Sequence, residues 1–524
     1  MSDMTNPEAM NPMTPPQGYV PPQPYYVPQP KPVTMYDTKI KENFHIYGVA
    51  AFLYACLYAI CMYKNGSGIT YLLFVGGSIA LICFCLKKLE IKLKKSSVLY
   101  FASMLLLSVS TFCTDDGRII FFNKLGVFLL TISLLLGTVY NTKKWNLGKY
   151  FASICQVCVM AIGEIGRPFV DGIWYCKNKL DKKNSKYLYV LLGLVITIPL
   201  FLIVFGLLTS ADIVFRDMAE TLLSYINIAD IYLISLMVVF MFLASYGILV
   251  YLSRKTIKEE VTDSRKWEPL IGIPVASVLT IMYLLFSVVQ IVYLFIGNMQ
   301  LPEGYTYAEY AREGFFQLLA VSILNLVMVL VGLYFFKPNK ALKGILIVMS
   351  ACTFIMIASS AMRMIIYIQY YYLTFLRILV LWTLVVLALI FAGVVIYILN
   401  EKFPLFRYSM VVVTGLYLCL SFSHPDYLIA KVNLAGMEED RSDFFKGEAY
   451  DDYYFLSRLN ADAAPLMLEW IEEHDNALDG ETQLYAKRYV ENLNQRVGTV
   501  GVRNFNVSRY LAQLELKAQT TEEK

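Results

Sequence analysis

Long apolar runs follow one another from residue 46 to residue 422, separated by short polar stretches. Most of them have about 17–25 residues, enough for a helix to cross roughly 30 Å of hydrocarbon. The pattern therefore predicts an all-α, polytopic transmembrane bundle of about eleven spans. The predicted spans are 46–63, 69–86, 96–113, 125–140, 187–208, 231–252, 270–296, 316–336, 342–360, 374–398 and 406–422.

Composition excludes a water-soluble globular protein. Hydrophobic residues make up 57% of the 524-residue chain and charged residues only 16%, whereas soluble domains carry about a quarter charged residues. The mean hydropathy is +0.53. Lipid must therefore replace water as the solvent for much of the surface between residues 39 and 423, which we assign as the transmembrane domain.

The distribution of positive charge predicts the orientation. Lysine and arginine concentrate in the loops 87–95, 141–149, 253–268 and 337–343, while the loops between them are poor in both. Basic loops stay on the cytoplasmic side of a membrane. We therefore expect a cytoplasmic N-terminus, and eleven spans then place the C-terminus on the outer side.

Residues 150–176 are apolar but contain Glu164, Arg167, Pro168 and Asp171. If this segment crossed the membrane, every later loop would change sides and the charge pattern would invert. We therefore interpret 149–186 as an interfacial or re-entrant element on the cytoplasmic side. Glu164 and Arg167, an i, i+3 pair, suit either a surface anchor, which we favour, or a gate.

The two ends of the chain differ from the middle. Residues 1–38 are rich in Pro, Tyr and Gln and have no apolar run, so we predict a disordered tail with polyproline II character. In 424–524 acidic residues outnumber basic ones, and apolar residues recur at helical spacing around 456–470 and 484–493. This predicts two or three short amphipathic helices with a small apolar core, in an extracytoplasmic segment. Its acidic charge excludes nucleic-acid binding and leaves an envelope protein as the expected partner, beside the lipid bilayer itself.

Four segments carry a resemblance to a known family. They are LLTSADIVFRDM (207–218), YAEYAREGFFQLLAVSILNLVMV (307–329), AMRMIIYIQYYYLTFLR (361–377) and HPDYLIAKVNL (424–434), which leads into DYYFLSRLNADAAPLML. In this order they resemble the bacterial multi-spanning membrane proteins catalogued as DUF4173 and DUF4153, whose function is unknown. The chain departs from the family at Tyr372, where the family usually has Gly, and at His424, where it often has Asn. The resemblance implies a bacterial cytoplasmic-membrane protein and identifies no substrate.

Charged residues in these segments form the candidate site. On the predicted outer side they are Asp212, Arg216, Glu309, Arg312, Glu313, Arg363 and Arg377. Within a helix Asp212 and Arg216 would share a face at i, i+4. Charges at membrane depth are costly unless paired, and they often mark function. We favour pairing that fixes helix ends, with binding of an anionic headgroup or polar ligand second and catalysis third. Lone polar residues in apolar spans, Gln290 and Asn325, are expected to bond between helices.

The sequence contains no Walker loop, G-x-S-x-G or H-E-x-x-H motif, and His45, His424 and His474 have no metal-ligand spacing. We therefore predict no metal, cofactor or catalytic residue. A non-enzymatic envelope protein with a sensing, scaffolding or regulatory role is favoured. A transporter of a small polar or anionic solute, and a membrane-embedded enzyme acting on lipid or wall precursors, remain as alternatives.

Overall fold

The computed structural model describes most of the chain after the N-terminal tail, and its secondary structure is helical. The described residues are 34–142, 145–179, 203–222, 228–260, 265–292, 307–438, 449–474, 480–498 and 501–522, with isolated helical positions at 193, 197, 200 and 201. Within these ranges the only β-type pairing is an isolated bridge between Trp267 and Phe336.

Nineteen helices are labelled here, in chain order. They are α1 Met35–Glu42, α2 Phe44–Met62, α3 Thr70–Lys88, α4 Ser97–Cys113, α5 Gly117–Val139, α6 Leu147–Met160, α7 Arg167–Lys179, α8 Ile213–Leu222, α9 Ile228–Ser253, α10 Pro269–Gln290, α11 Tyr307–Phe335, α12 Lys340–Tyr371, α13 Phe375–Leu399, α14 Leu405–Ser421, α15 Pro425–Glu438, α16 Ala449–Leu456, α17 Ala464–His474, α18 Gly480–Val497 and α19 Val507–Glu522. Residues 203–211 are also helical.

The long helices run between the two ends of a bundle. We call one the basic end, for its charge, and the other the tail end, because the C-terminal segment covers it. At the basic end, side chains tie the turns together through Lys39–Glu90, Arg265–Glu401 and Lys343–Glu401 ion pairs. At the opposite end, the tail end, α2, α4 and α14 finish and the C-terminal segment covers the turns. Lys64 pairs there with Asp230 at the start of α9, 2.8 Å away.

The outer surface of the bundle is apolar. In the described part of the chain, eight helices are long and apolar enough to cross a membrane, yet only 17–50% of their most apolar windows is buried inside the protein. Exposed leucine, isoleucine and valine on this scale would be unfavourable in water, so these faces meet lipid. The chain is an integral membrane protein.

The number of spans differs from the predicted eleven. Eight helices qualify alone, and up to ten if each of two bent pairs, α6 with α7 and α14 with α15, counts as one span. Helix α4, with 17 residues, is apolar but shorter, and most of the predicted span 187–208 lies outside the described residues. Helix α12 runs eleven residues beyond its predicted end at 360, to Tyr371.

Polar residues inside the bundle bond between helices, as the sequence predicted. The Asn325 amide donates to the Thr353 hydroxyl at 3.0 Å, and the Ser359 hydroxyl donates to Gln290 Oε1 at 2.6 Å. With no water at this depth, each polar group needs a partner on a neighbouring helix, and these bonds fix which helices face each other.

Helices α6 and α7 meet at an angle of 51°. Both contact the basic end: Tyr150 stacks on Phe406 with ring centroids 3.6 Å apart, and Tyr175 lies against His45 at 5.2 Å. Helix α5 ends and α2 begins at that same end. The bent element formed by α6 and α7 therefore makes these contacts at one end of the bundle.

The N-terminal and C-terminal segments contain helices that the sequence did not predict. Helix α1 begins at Met35, inside the segment predicted as a tail; residues 1–33 lie outside the described residues. In its described residues the C-terminal segment has five helices, α15 to α19, where two or three were predicted. Its apolar core, which includes Leu456, Met467 and Tyr489, is shared with Phe375 and Ile378 of the bundle, so a small segment gains a larger core by docking.

Candidate functional site

The C-terminal segment docks on the tail end through buried charged and polar groups, and we call this interface the seam. At its centre lies Asp462, in a 3₁₀ turn whose first amide is capped by Asn460. The Asp462 carboxylate accepts a hydrogen bond from the Thr114 hydroxyl at 2.5 Å and from the Asp115 amide at 2.8 Å. His424 Nδ1 lies 3.4 Å from the same carboxylate. One aspartate thus joins the C-terminal segment to the α4–α5 turn.

A second group of charges in the seam surrounds Arg118. Its guanidinium pairs with Asp116 at 2.7 Å and with Asp426 at 2.5 Å, and stacks on the Phe375 ring at 3.9 Å. The other carboxylate oxygen of Asp426 accepts from the Asn460 amide at 3.2 Å. Asp426 and Asp116 are both buried, so Arg118 supplies the positive charge that makes their burial tolerable.

The start of α19 closes the seam. Asn506 is fully buried, and its amide donates to the backbone carbonyls of Ser67 and Thr114, at 3.2 and 2.8 Å. Two residues later, the Ser508 hydroxyl donates to the Cys113 carbonyl at 2.6 Å, and Arg509 pairs with Asp115 at 2.6 Å. These bonds satisfy a carbonyl of the α2–α3 loop and the carbonyls that the end of α4 leaves without helical partners.

Burial and ion pairing shift the pKa values of the seam residues in opposite directions. Burial raises the pKa of Asp115, and Arg509 offsets only part of this shift. Burial also acts to raise the pKa of Asp462, but hydrogen bonds from His424, Ser508 and Thr114 outweigh it and lower that pKa. The hydrogen bond to Asp462 raises the pKa of the His424 imidazole. The His424–Asp462 pair is therefore favoured in its charged form.

The turn between α12 and α13 is held from both sides. Arg377 donates to the carbonyls of Tyr371 and Tyr372 and stacks on Tyr367, 4.2 Å from its ring centroid. From the C-terminal segment, the Asn433 amide group bonds both the amide (2.8 Å) and the carbonyl (3.0 Å) of Leu373. Arg377, predicted as a ligand-binding residue, therefore clamps a turn to which the C-terminal segment also docks.

Arg363 lies inside α12, not in the loop where the sequence placed it. Its side chain is buried, 3.5 Å from Gln290 Oε1, and packs so closely over Gly314 that a Cβ there would collide with the guanidinium. The family-like segments 307–329 and 361–377 meet at this contact. The predicted span 342–360 ended before Arg363, whereas the helix continues to Tyr371.

The remaining predicted residues form no described cluster with Arg363 and Arg377. Asp212 caps the start of α8, accepting from the Phe215 amide at 2.7 Å, and Arg216 donates to the Thr209 carbonyl at 2.9 Å. Both are exposed, and the expected i, i+4 pair between them does not form. The side chains of Glu309, Arg312 and Glu313, in the first turns of α11, lie outside the described residues.

A second buried cluster lies at the basic end, around the predicted pair Glu164 and Arg167. Arg254 pairs with Glu164 at 2.5 Å and lies 3.7 Å from Asp37, while Arg167 pairs with Asp37 at 2.9 Å. Asp171 is fully buried, 3.5 Å from Arg167, and accepts from the Tyr246 hydroxyl at 3.0 Å. The pair anchors the bent element to α1 and α9 rather than to the membrane surface alone.

Sequence reasoning missed the residues that build the seam. Asp115, Asp462 and Asn506 read as ordinary turn and cap residues, and nothing local ties Thr114 to a residue 348 positions away. The family-like segments 424–434 and 452–468 do contain several of them, which is the signal that could have directed attention there. Among the described residues no group of three or more His, Cys, Asp and Glu side chains is arranged to hold a metal ion.

The fold and the seam define a class: a polytopic helical membrane protein whose C-terminal segment is docked on one end of its bundle. The chain belongs to the family described as "Domain of unknown function (DUF4153)", whose model matches residues 101–470, well over half of the chain. The match begins further towards the N-terminus than the four family-like segments. A search of curated proteins and a search of solved structures each found no significant match.

Proposed function

We propose that this protein is a non-enzymatic membrane scaffold or regulator, which presents its C-terminal segment as a fixed platform to an envelope protein. The observation that carries the proposal is the seam. Asp462, Asp426 and Asn506 are buried and bonded to the bundle, so the platform has one position relative to the bundle. A segment that merely trailed from the last span would not need such contacts.

Fixed geometry matters for recognition. A partner that binds a preorganised surface does not pay the entropy of ordering it. The exposed side of the platform carries apolar residues that its own core leaves uncovered, among them Leu484 (58% exposed) and Leu511 (46%). These exposed apolar side chains are where we expect a partner protein to make contact.

Site-specific photocrosslinking in intact cells tests the proposal. A photoreactive amino acid at Leu484 or Leu511 should give one discrete protein adduct, whereas the same probe at Leu93, an exposed residue of the basic end, should not. The Asp462→Asn variant should lose the adduct while it still inserts. An asparagine amide would face the Thr114 and Asp115 donors, and each unmade buried hydrogen bond costs about 1–3 kcal/mol.

Two results would contradict the proposal. Adducts with lipid alone from both platform positions would mean that this face rests on the membrane. An adduct that survives Asp462→Asn, with the platform shown by proteolysis to be detached, would mean that the docked position is not what the partner recognises.

A further inference from the structure

A cavity opens at the basic end, between α1, α7 and the end of α9. Its volume is about 300 Å³, which lies at the lower end of the range for small-molecule sites. Six side chains of its lining carry charge or an aromatic face: Asp37, Lys41, Glu42, Arg167, Trp174 and Arg254. It belongs to no contact of the seam, which lies at the opposite end of the bundle.

The lining presents both signs of charge. Lys41 lies over the Trp174 ring, 4.6 Å from its centroid, and has no carboxylate within salt-bridge distance among the described residues. Arg254 is buried, with a side chain only 7% exposed, and its Nε finds no hydrogen-bond partner in the described part of the chain. It lies 3.7 Å from an Asp37 carboxylate oxygen and is enclosed by protein. Lys41 is therefore the donor in the wall that a ligand can reach.

The charges around the cavity nearly balance. Counted with the buried carboxylates that pair with the arginines, the acids Asp37, Glu42, Glu164 and Asp171 stand against the bases Lys41, Arg167 and Arg254, so the two signs balance to within one charge. Burying a ligand with a net charge beside a nearly neutral cluster costs solvation energy that no countercharge returns. A ligand that carries one positive and one negative group avoids that cost. Glu42, exposed at the rim, adds an acceptor for the positive group.

The residues around the cavity suit a site for a lipid headgroup. Val170 and Ile173, on α7 beside Trp174, are 54% and 45% exposed. Apolar side chains on this face of the bent element therefore flank a charged cavity. Lipid acyl chains would contact these apolar side chains, and the lipid headgroup would enter the charged cavity.

We propose that this cavity binds a zwitterion with a primary ammonium group and an anionic oxyacid, as in an aminophospholipid headgroup. The oxyacid oxygens accept from Lys41, and the ammonium donates to Glu42 and Asp37. Because the same chemistry exists in a free phosphoamine, the test must separate the two sources.

The test uses the full-length protein, purified in detergent and delipidated. Affinity is measured for short-chain phosphatidylethanolamine, phosphatidylglycerol and phosphatidylcholine, and for free phosphoethanolamine. We expect phosphatidylethanolamine to bind tightest, and Lys41→Gln to weaken it about tenfold, since a charge-assisted hydrogen bond is lost. Lys39→Gln is the matched control: it lies on the same helix but pairs with Glu90, outside the cavity. If Lys41→Gln does not fold, Glu42→Gln on the exposed rim replaces it, with the same expected weakening.

Equal binding of phosphatidylglycerol would overturn the zwitterion assignment in favour of a simple anion site. Equal weakening by Lys39→Gln, or no binding of any amine-bearing probe, would overturn the site itself. Phosphoethanolamine binding as tightly as the lipid, and weakened by Lys41→Gln, would support the site and identify its ligand as soluble. None of these results depends on the platform, so the proposed scaffold function and this site can fail separately.

Discussion

Some residues in this chain adopt backbone conformations that are unfavourable for any residue with a Cβ. Tyr372 has φ 61° and ψ 179°, a region that is open in practice only to glycine and costs other residues about 1–3 kcal/mol. The family usually has Gly at this position. Arg377 and Asn433 hold the turn on both sides of Tyr372, which explains how the strained conformation persists.

Replacing Tyr372 separates strain from packing. Its ring lies against Gly436, so both Tyr372→Gly and Tyr372→Ala lose that contact, but only glycine relieves the backbone. We expect Tyr372→Gly to be more stable than Tyr372→Ala by about 1–3 kcal/mol. Thermal unfolding of both variants in the same detergent measures the difference. Equal stability would show that the turn relaxes when the ring is removed.

His424 is the second departure from the family, and its φ of 47° is again left-handed. Asparagine, the residue often found there in the family, tolerates this region better than most others do. The chain therefore uses a less suitable residue, and in exchange gains a titratable partner for Asp462. The side chain is 34% exposed, so the gain is partly screened by solvent.

The pair predicts how docking depends on pH. Because the His424 pKa is raised on folding, its contribution is complete below the ordinary pKa and is lost as pH rises through the raised one. The lowered pKa of Asp462 sets the opposite limit: its contribution is lost as pH falls through that value. Asp115 also interacts with the Asp462 carboxylate. Burial raises the pKa of Asp115, and Arg509 is its ion-pair partner.

Hydrogen exchange of residues 449–474 between about pH 6 and 9 checks this expectation. Protection of the wild type should fall as pH rises, after correction for the intrinsic exchange rate. In His424→Asn, which keeps a residue suited to φ 47° but cannot titrate, protection should not change with pH beyond that correction. A wild type and variant with the same pH profile would remove His424 as the cause.

At the scale of elements, the sequence predicts what is local and misses what is distant. Hydropathy located most of the spans, because a helix in lipid must be apolar along its own length. It could not show that the turn at Thr114 receives Asp462, since each residue alone looks like part of a polar loop. Arg363 was misplaced for the related reason that its partner, Gln290, lies on another helix.

The C-terminal segment shows how far this limit extends. Its helical spacing predicted the buried set that includes Leu456, Met467 and Trp470. Its position could not be predicted, because that depends on Asn506 reaching two carbonyls, one in the α2–α3 loop and one at the end of α4. A small core that gains stability by docking carries little sign of its docking surface in its own periodicity.

At the scale of the whole molecule, the two ends of the bundle indicate which segments share a side of the membrane. This assignment does not require an odd or even number of spans. Helix α1 contacts the basic end, where Thr34 bonds the Ser253 carbonyl at 2.6 Å, and α19 contacts the tail end through Asn506. We therefore predict that these two regions lie on opposite sides of the membrane, whichever count of spans is used. From the positive-inside rule we expect the basic end in the cytoplasm.

Labelling with a membrane-impermeant maleimide tests the assignment. With the ten native cysteines replaced, Leu484→Cys on α18 should be labelled in intact cells, because its side chain is 58% exposed on the platform. Leu93→Cys, 41% exposed in a basic-end turn, should be labelled only after lysis. The reverse result would place the platform in the cytoplasm and remove an envelope protein as its partner. Labelling of both before lysis would contradict the opposite placement of the two ends, and with it the bundle as a membrane-crossing unit.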